Sequence, residues 1–141
     1  MKRISAKTIV AVSFIFLLTA CSDYGKKTKK GHVEVYYKEG ISKETAQQTA
    51  DFLYDIDRQA GNDTTITKSI QLLKKQDTVL FRMVADKKKL TNLKDDVFST
   101  MANFLSDTLY SHEPVNVELT DNHFKTIHSI RYTKMDLNQV E

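Results

Sequence analysis

The chain has 141 residues, with 21 Lys and Arg against 18 Asp and Glu, four histidines and a single cysteine. Three of the basic residues and none of the acidic ones lie in the first 20 positions, so the rest of the chain carries 18 of each. This balance gives no reason to expect a nucleic-acid partner. One cysteine excludes an internal disulfide, and the roughly 120 residues after position 20 suffice for one domain with its own core.

The first twenty residues have the layout of a secretory signal peptide. Lys2, Arg3 and Lys7 form a basic head, and residues 9–20 are apolar except for Ser13 and Thr19. This run is shorter than the roughly 20 residues that a membrane-spanning helix needs. Cleavage is therefore predicted, rather than retention as a transmembrane anchor.

The residues Leu18-Thr19-Ala20-Cys21 resemble the lipobox of bacterial lipoproteins. The resemblance implies that the Cys21 thiol receives a diacylglyceryl group, that a peptidase cuts between Ala20 and Cys21, and that the new amino group is acylated with a fatty acid such as palmitate. Two or more acyl chains give stable anchoring. Because Ser22 rather than an aspartate follows Cys21, the resemblance also implies the outer membrane of a bacterial cell envelope, facing the periplasm. The alternative is an ordinary signal peptide followed by a chance cysteine.

Residues 21–31 are predicted to be the acylated cysteine and a flexible basic tether. Four lysines and two glycines in this stretch leave little that could be buried. The tether is interpreted as a solvated spacer. The alternative is a basic collar on anionic head groups, which contribute about 1 kcal/mol for each lysine near the surface.

A single domain is predicted over residues 32–132, with a polar tail at 133–141. Alternation and helical periodicity give, in chain order, a strand at 32–37, a helix over 43–58, strands at 66–73 and 78–85, a helix over 93–110 and strands at 115–119 and 124–132. Ser42 and Asn92 are the predicted N-caps. The buried stripes are expected at Ala46, Ala50, Leu53 and Ile56 in the first helix, and at Val97, Met101, Phe104, Leu105 and Leu109 in the second.

The two helices share a short pattern in which Ala, Phe, Leu and Asp recur at the same spacing in residues 49–55 and 101–107. An ancient duplication or chance would each explain it. Each helix leads into a predicted hairpin. The predicted fold is therefore an α+β two-layer sandwich of order β-αββ-αββ, with two helices on one face of a mostly antiparallel five-stranded sheet.

The segments VEVYYKEGISKETAQQTADFLYD, DTVLFRMVAD and PVNVELTDNHFKTIHSIRY resemble those of a small uncharacterised bacterial domain family. The resemblance covers about residues 32–132. It implies a folding unit and carries no catalytic residues across to this chain.

The chemistry-bearing residues form no recognisable catalytic or ligand motif. The pair His112-Glu113 lacks the second histidine of a zinc-protease helix, and Pro114 prevents that helix. The four histidines are expected at the surface or at sheet edges. Asp51 and Asp55 are expected on the wet face of the first helix. We therefore expect no catalytic residue, no metal, no cofactor and no enzymatic activity.

The strands carry apolar residues on both alternation sets, and Leu80, Val84 and Ile127 are expected on the face away from the helices. They could form an interface with an envelope protein or a second copy of the chain, or be scattered apolar residues. The leading hypothesis is a lipid-anchored, non-catalytic binding or assembly module. The alternative is an envelope enzyme or small-ligand binder with a pocket between helices and sheet.

Overall fold

The computed structural model describes residues 23–136. Its elements in chain order are β1 (Lys26–Lys30), β2 (Val33–Tyr37), α1 (Lys43–Ala60), β3 (Lys68–Lys75), β4 (Thr78–Val84), α2 (Asp95–Leu109), β5 (Val115–Thr120) and β6 (Thr126–Ile130). A short 3-10 helix, Leu90–Asn92, precedes α2.

The sheet corrects the predicted fold. Its described residues form six strands in the order β1-β2-β3-β4-β5-β6, where five strands were expected. The sheet is mixed, because β2–β3 and β4–β5 pair in parallel and the other three neighbours are antiparallel. Each parallel pair is joined by a helix, which returns the chain along the sheet as a parallel connection requires. The predicted mostly antiparallel sheet of order β-αββ-αββ is therefore wrong.

The strand absent from the prediction is β1, which occupies five of the eleven residues predicted to be the acylated cysteine and tether. Among the described strands it pairs only with β2, in the register Lys26↔Tyr37 to Lys30↔Val33, and four of its five residues are exposed lysines. A strand without an apolar set has no period-two signal in the sequence. Backbone pairing to β2 defines it instead, and lysines are common on edge strands because they discourage pairing with other chains.

Both helices pack on one face of the sheet and share one core. Helix α1 lies over β1 and β2, whereas α2 lies over β5 and β6. Small residues let the helices approach closely, since Ala46, Ala50 and Ala102 are completely buried. The buried apolar residues that the strands give to this core are Val33, Val35, Tyr37, Ile70, Leu72, Val79, Phe81, Val115, Val117, Leu119 and Ile130.

The buried stripes agree with the expected ones only in part: Ala46 and Ala50 on α1 and Leu105 on α2 are buried as predicted, whereas Ile56 on α1 is 39% exposed. On α2 the core takes Phe98, Ala102 and Leu105, and the expected Val97 and Phe104 are 56% and 52% exposed. A shift of one residue rotates a helix face by about 100°. A helix that is apolar on several sides can dock in more than one rotation, and the packed sheet selected this one.

The helix caps were predicted with mixed success. The Ser42 prediction is confirmed, because its hydroxyl accepts the Thr45 backbone N–H at 3.0 Å. The Asn92 prediction is wrong. That residue ends the 3-10 helix, and Lys94 occupies the N-cap position without a side-chain bond.

Gly31, in the β1–β2 turn, carries the first testable prediction. Its φ is +54°, and a Cβ there would clash with the Tyr54 ring. We expect Gly31→Ala to lower the free energy of unfolding by about 2 kcal/mol, from backbone strain and the ring contact together. Urea denaturation measures this.

Gly61 is the matched control, since it also has a positive φ, +68°, and no atom of the described residues lies within 4 Å of a Cβ placed there. Gly61→Ala should cost about 1 kcal/mol from the backbone alone. Equal costs at the two positions would show that the Tyr54 ring does not constrain the turn.

Candidate functional site

The predicted processing residues Ala20 and Cys21 lie outside the described residues. The described chain starts at Asp23, whose carboxylate lies 3.9 Å from the Lys38 amine. Two extended residues span at most about 7 Å. Any group attached to Cys21 is therefore tied closely to the corner of the sheet where β1 begins.

Three aromatic rings hold the segment before β1 against the sheet face opposite the helices. The Tyr24 ring lies edge-on to Tyr36 and Phe124, at centroid distances of 5.8 and 5.2 Å, and Tyr36 and Phe124 are 5.5 Å apart. The Tyr24 hydroxyl also lies 3.0 Å from Nδ1 of His123. The segment before β1 is thus joined to the β5–β6 turn across the face of strands β2 to β5.

A carboxylate shapes the turn that presents Phe124. Asp121 Oδ1 accepts the backbone N–H groups of Lys125 and His123, each at 2.9 Å. These bonds hold the pKa of Asp121 below its usual value. Phe124 has φ +55°, so the turn places a bulky residue in a backbone conformation that needs such support.

Beneath the aromatic rings, Arg82 organises a polar network at the centre of the sheet. Its Nε donates to Glu118 Oε2 at 2.7 Å, and Nη2 donates to the Phe124 carbonyl at 2.6 Å and to Thr126 Oγ1 at 3.0 Å. Its Nη1 donates to Gln71 Oε1. Gln71 is only 2% exposed and donates to the Tyr24 carbonyl at 3.0 Å. The network therefore bonds both the entering segment and the β5–β6 turn to the sheet.

We expect Tyr24→Ala to release the entering segment. The substitution removes two ring contacts and the bond to His123, so stability should fall by about 1–2 kcal/mol. Hydrogen exchange should show faster exchange of the amides at positions 23–26 than in the native protein. Tyr132→Ala, a ring replacement at the other edge of the sheet, should leave these amides unchanged. Unchanged exchange in Tyr24→Ala would contradict the anchoring role.

A cleft of about 530 Å³ opens beside the entering segment. Its lining includes the lysines at 26, 38 and 74 together with Asp23, Glu39, Ile41 and Leu73. The Lys74 amine is bound to Glu113 at 2.8 Å. The cleft is thus mixed in charge, and it lies at the end of the sheet where the chain enters.

A second polar cluster, which the sequence analysis missed, lies at the far end of α1. Asp57 is 2% exposed, and its carboxylate contacts His32 Nε2 at 2.7 Å, Lys68 Nζ at 2.7 Å and Asn62 Nδ2 at 2.9 Å. Burial would raise the pKa of Asp57, but the bonds from Lys68, Asn62 and His32 outweigh it and lower the pKa to about 2. Within the described part of the chain, the Nδ1 atom of His32 is buried without a hydrogen-bond partner.

A signal for this cluster exists in the sequence. Asp57 continues the spacing of Ala46, Ala50 and Leu53, which places it on the apolar stripe of α1. An aspartate on such a stripe is a candidate for a buried, paired charge. The prediction that all four histidines lie at the surface or at sheet edges is wrong for His32, which is buried in the turn after β1 and contacts this carboxylate.

The other predicted polar residues are not brought together. His112 lies 2.9 Å from Asp107, His128 lies 2.9 Å from Asp95, and His123 contacts Tyr24. Asp55 is exposed on α1, as expected. Within residues 23–136, no group of three or more potential metal ligands is found.

The three predicted interface residues do not form one patch. Leu80 and Val84 share the sheet face of Arg82 and are partly exposed. Ile127 lies at the irregularity in β6, and it lines a separate cleft of about 320 Å³ with Phe98 and Leu93. Among the described helices, none is long and apolar enough to cross a membrane.

Comparisons with known proteins give one positive result. A family model whose description reads "family N-terminal domain" matches residues 27–131. No curated protein and no solved structure matches the chain.

Proposed function

Since the chain belongs to the AF_1994_N family, whose N-terminal domain it contains at residues 27–131, its first 26 residues lie outside that domain, and we propose that they export and anchor it. Residues 1–20 act as a lipoprotein signal peptide. Cys21 becomes the acylated first residue of the mature protein. The protein is then a lipoprotein of a bacterial cell envelope, on the periplasmic side of the outer membrane.

The observation that carries this proposal is the sequence Leu18-Thr19-Ala20-Cys21, placed after a basic head and a short apolar run. Cysteine sulfur is the nucleophile that a thioether to diacylglycerol needs. Each buried methylene of a lipid chain contributes about 0.8 kcal/mol, so two or three chains hold a domain of this size without a spanning helix.

The proposed task of the domain is binding or assembly without catalysis. Its buried Asp57 bonds to Lys68 and His32, and its half-buried Arg82 bonds to Glu118. These bonds support a structural use of both clusters. The exposed Val97 and Phe104 on α2, with Phe104 5.7 Å from Phe52 of α1, support contact with an envelope protein or a second copy of the chain.

Mass spectrometry of the protein extracted from bacterial membranes tests the anchor. We expect a mature chain that begins at Cys21 and carries the added mass of a diacylglyceryl group and an N-linked acyl chain. The protein should partition into the detergent phase. A mature chain with an unmodified cysteine, or with a different first residue, would contradict the proposal.

A further inference from the structure

The strand β1 and the adjoining part of α1 form a basic edge, which we define as Lys26, Lys27, Lys29, Lys30 and Arg58. We propose that this basic edge docks on anionic phospholipid head groups of the bilayer that holds the anchor, so that the domain lies edge-on to the membrane. The inference rests on the proposed lipid anchor at Cys21. It adds a surface and an orientation that the anchor alone does not specify.

The basic edge is accessible from outside because β1 is paired on one side only. This strand bonds to β2 on one side, and its other side has no strand neighbour among the described residues. The Lys27 and Lys29 side chains are 46% and 56% exposed. Because side chains alternate along a strand, the four lysines project to both sides of the edge. An approaching flat surface can therefore meet all of them.

An aromatic ring lies at the far end of the same edge. The Lys30 amine and the Arg58 guanidinium lie 5.8 and 5.7 Å from the centroid of the Tyr54 ring. Tyrosine and basic side chains together are typical of membrane–water interfaces. The composition of this end therefore fits a head-group layer.

The charge of the basic edge is only partly neutralised. Glu34 Oε1 lies 3.4 Å from the Lys27 amine and 4.0 Å from the Lys29 amine, and the Glu34 side chain is 17% exposed. Two of the five cationic groups thus share one carboxylate, and among the described residues no ion pair is found for Lys26, Lys30 or Arg58. The excess positive charge is complementary to a surface of anionic phosphates.

The distance of the cationic groups from the bilayer surface favours an edge-on over an end-on orientation. The chain enters at the start of β1, so both orientations are compatible with an anchor at Cys21. Lys26 and Lys30 are four residues apart, or about 13 Å along a strand. The Debye length at physiological salt is about 8 Å, so an end-on domain would hold Lys30 and Arg58 beyond the reach of the surface charge. Edge-on docking brings all five groups within reach, and each lysine contributes roughly fivefold to binding.

Bilayer contact can be measured with tryptophan reporters, because the chain has no tryptophan. Full-length acylated protein is reconstituted into phosphatidylcholine vesicles with or without phosphatidylglycerol, and fluorescence quenching by lipids brominated near the head group is recorded. The reporters are Tyr54→Trp at the basic edge, Asp77→Trp at the end where the chain enters, and Tyr132→Trp near the other edge. Five strand spacings, or about 24 Å, separate the two edges.

We expect quenching of Tyr54→Trp to exceed that of Tyr132→Trp several-fold in vesicles with phosphatidylglycerol, and to fall in phosphatidylcholine alone. Higher salt should reduce it as well, which tests the charge contribution without any further substitution. Stronger quenching of Asp77→Trp than of Tyr54→Trp would show an end-on domain and overturn the proposal.

Charge-matched variants in the Tyr54→Trp background identify the groups responsible. Lys27→Gln/Lys29→Gln/Lys30→Gln should reduce quenching to the level of Tyr132→Trp, whereas Lys87→Gln/Lys88→Gln/Lys89→Gln, in the exposed loop after β4, should leave it unchanged. Equal effects of the two triple variants would overturn the proposal. An unquenched Tyr54→Trp would also overturn the proposal. The basic edge would then bind an acidic protein or only block pairing between edge strands.

Lipid labelling of Cys21 distinguishes this proposal from the proposed function. Both triple variants should be acylated as fully as the native protein. Loss of quenching with intact acylation concerns docking alone, whereas absence of acylation in the native protein would overturn the anchor itself.

Discussion

Replacement of Cys21 by alanine is expected to abolish lipid attachment completely. The chain has a single cysteine, so no other thiol can form the thioether. The peptidase of the lipoprotein pathway acts on the acylated cysteine, and the uncut precursor should therefore accumulate. Metabolic labelling with a radioactive fatty acid, followed by electrophoresis, should show an unlabelled band that is larger than the mature native protein.

Ser22→Ala is the matched control, since it changes the neighbouring residue and leaves the thiol in place. It should be labelled and cut like the native chain. Normal cleavage of Cys21→Ala would contradict the lipoprotein interpretation, and would favour an ordinary signal peptide followed by a chance cysteine.

Removal of the Asp57 carboxylate is expected to have the largest effect on folding among the substitutions considered. Asp57→Ala leaves His32 and Asn62 without their buried acceptor and separates Lys68 from its counter-charge. Breaking a buried ion pair from one side costs about 3 kcal/mol or more. Urea denaturation at neutral pH should show this loss, with an unchanged denaturant slope.

The comparison variant is Asp51→Ala, which removes a carboxylate from a partly exposed position of the same helix. Its described bond is to Gln47, so the loss should stay below about 1 kcal/mol. Similar losses in the two variants would show that the Asp57 cluster adds nothing beyond an ordinary helical carboxylate.

The pH dependence of the Asp57 contribution has a definite sign. The pKa of Asp57 is lowered from 3.8 to about 2 in the folded state, so folding favours the ionised form. The stabilisation is present above about pH 4 and is lost as the pH falls towards 2. Native protein and Asp57→Ala should therefore approach each other in stability over this range, and parallel curves would contradict the assignment.

Element type was predictable wherever side chains repeat with a clear period. Helix α1 and the strand Val33–Tyr37 were predicted because their apolar side chains repeat with the period of a buried face. The hairpin from β3 to β4 was predicted because a polar turn separates two apolar runs. The strand β1 was not predictable in this way, because its lysines have no buried face. Its existence depends on backbone bonds to β2, which no side-chain pattern encodes.

The sequence alone determined the signals that act locally: the lipobox resemblance ending at Cys21, the cap at Ser42, and the approximate positions of the two helices and of the apolar strands. Tertiary packing decided which pairs of strands run parallel, which side of α2 is buried, and that Asp57 meets His32 and Lys68. These features depend on contacts between residues far apart in the chain. Each of these contacts stabilises the fold only when the folded sheet brings its two residues together. The basic edge likewise depends on tertiary structure, since it exists only because β1 is an edge strand of the sheet.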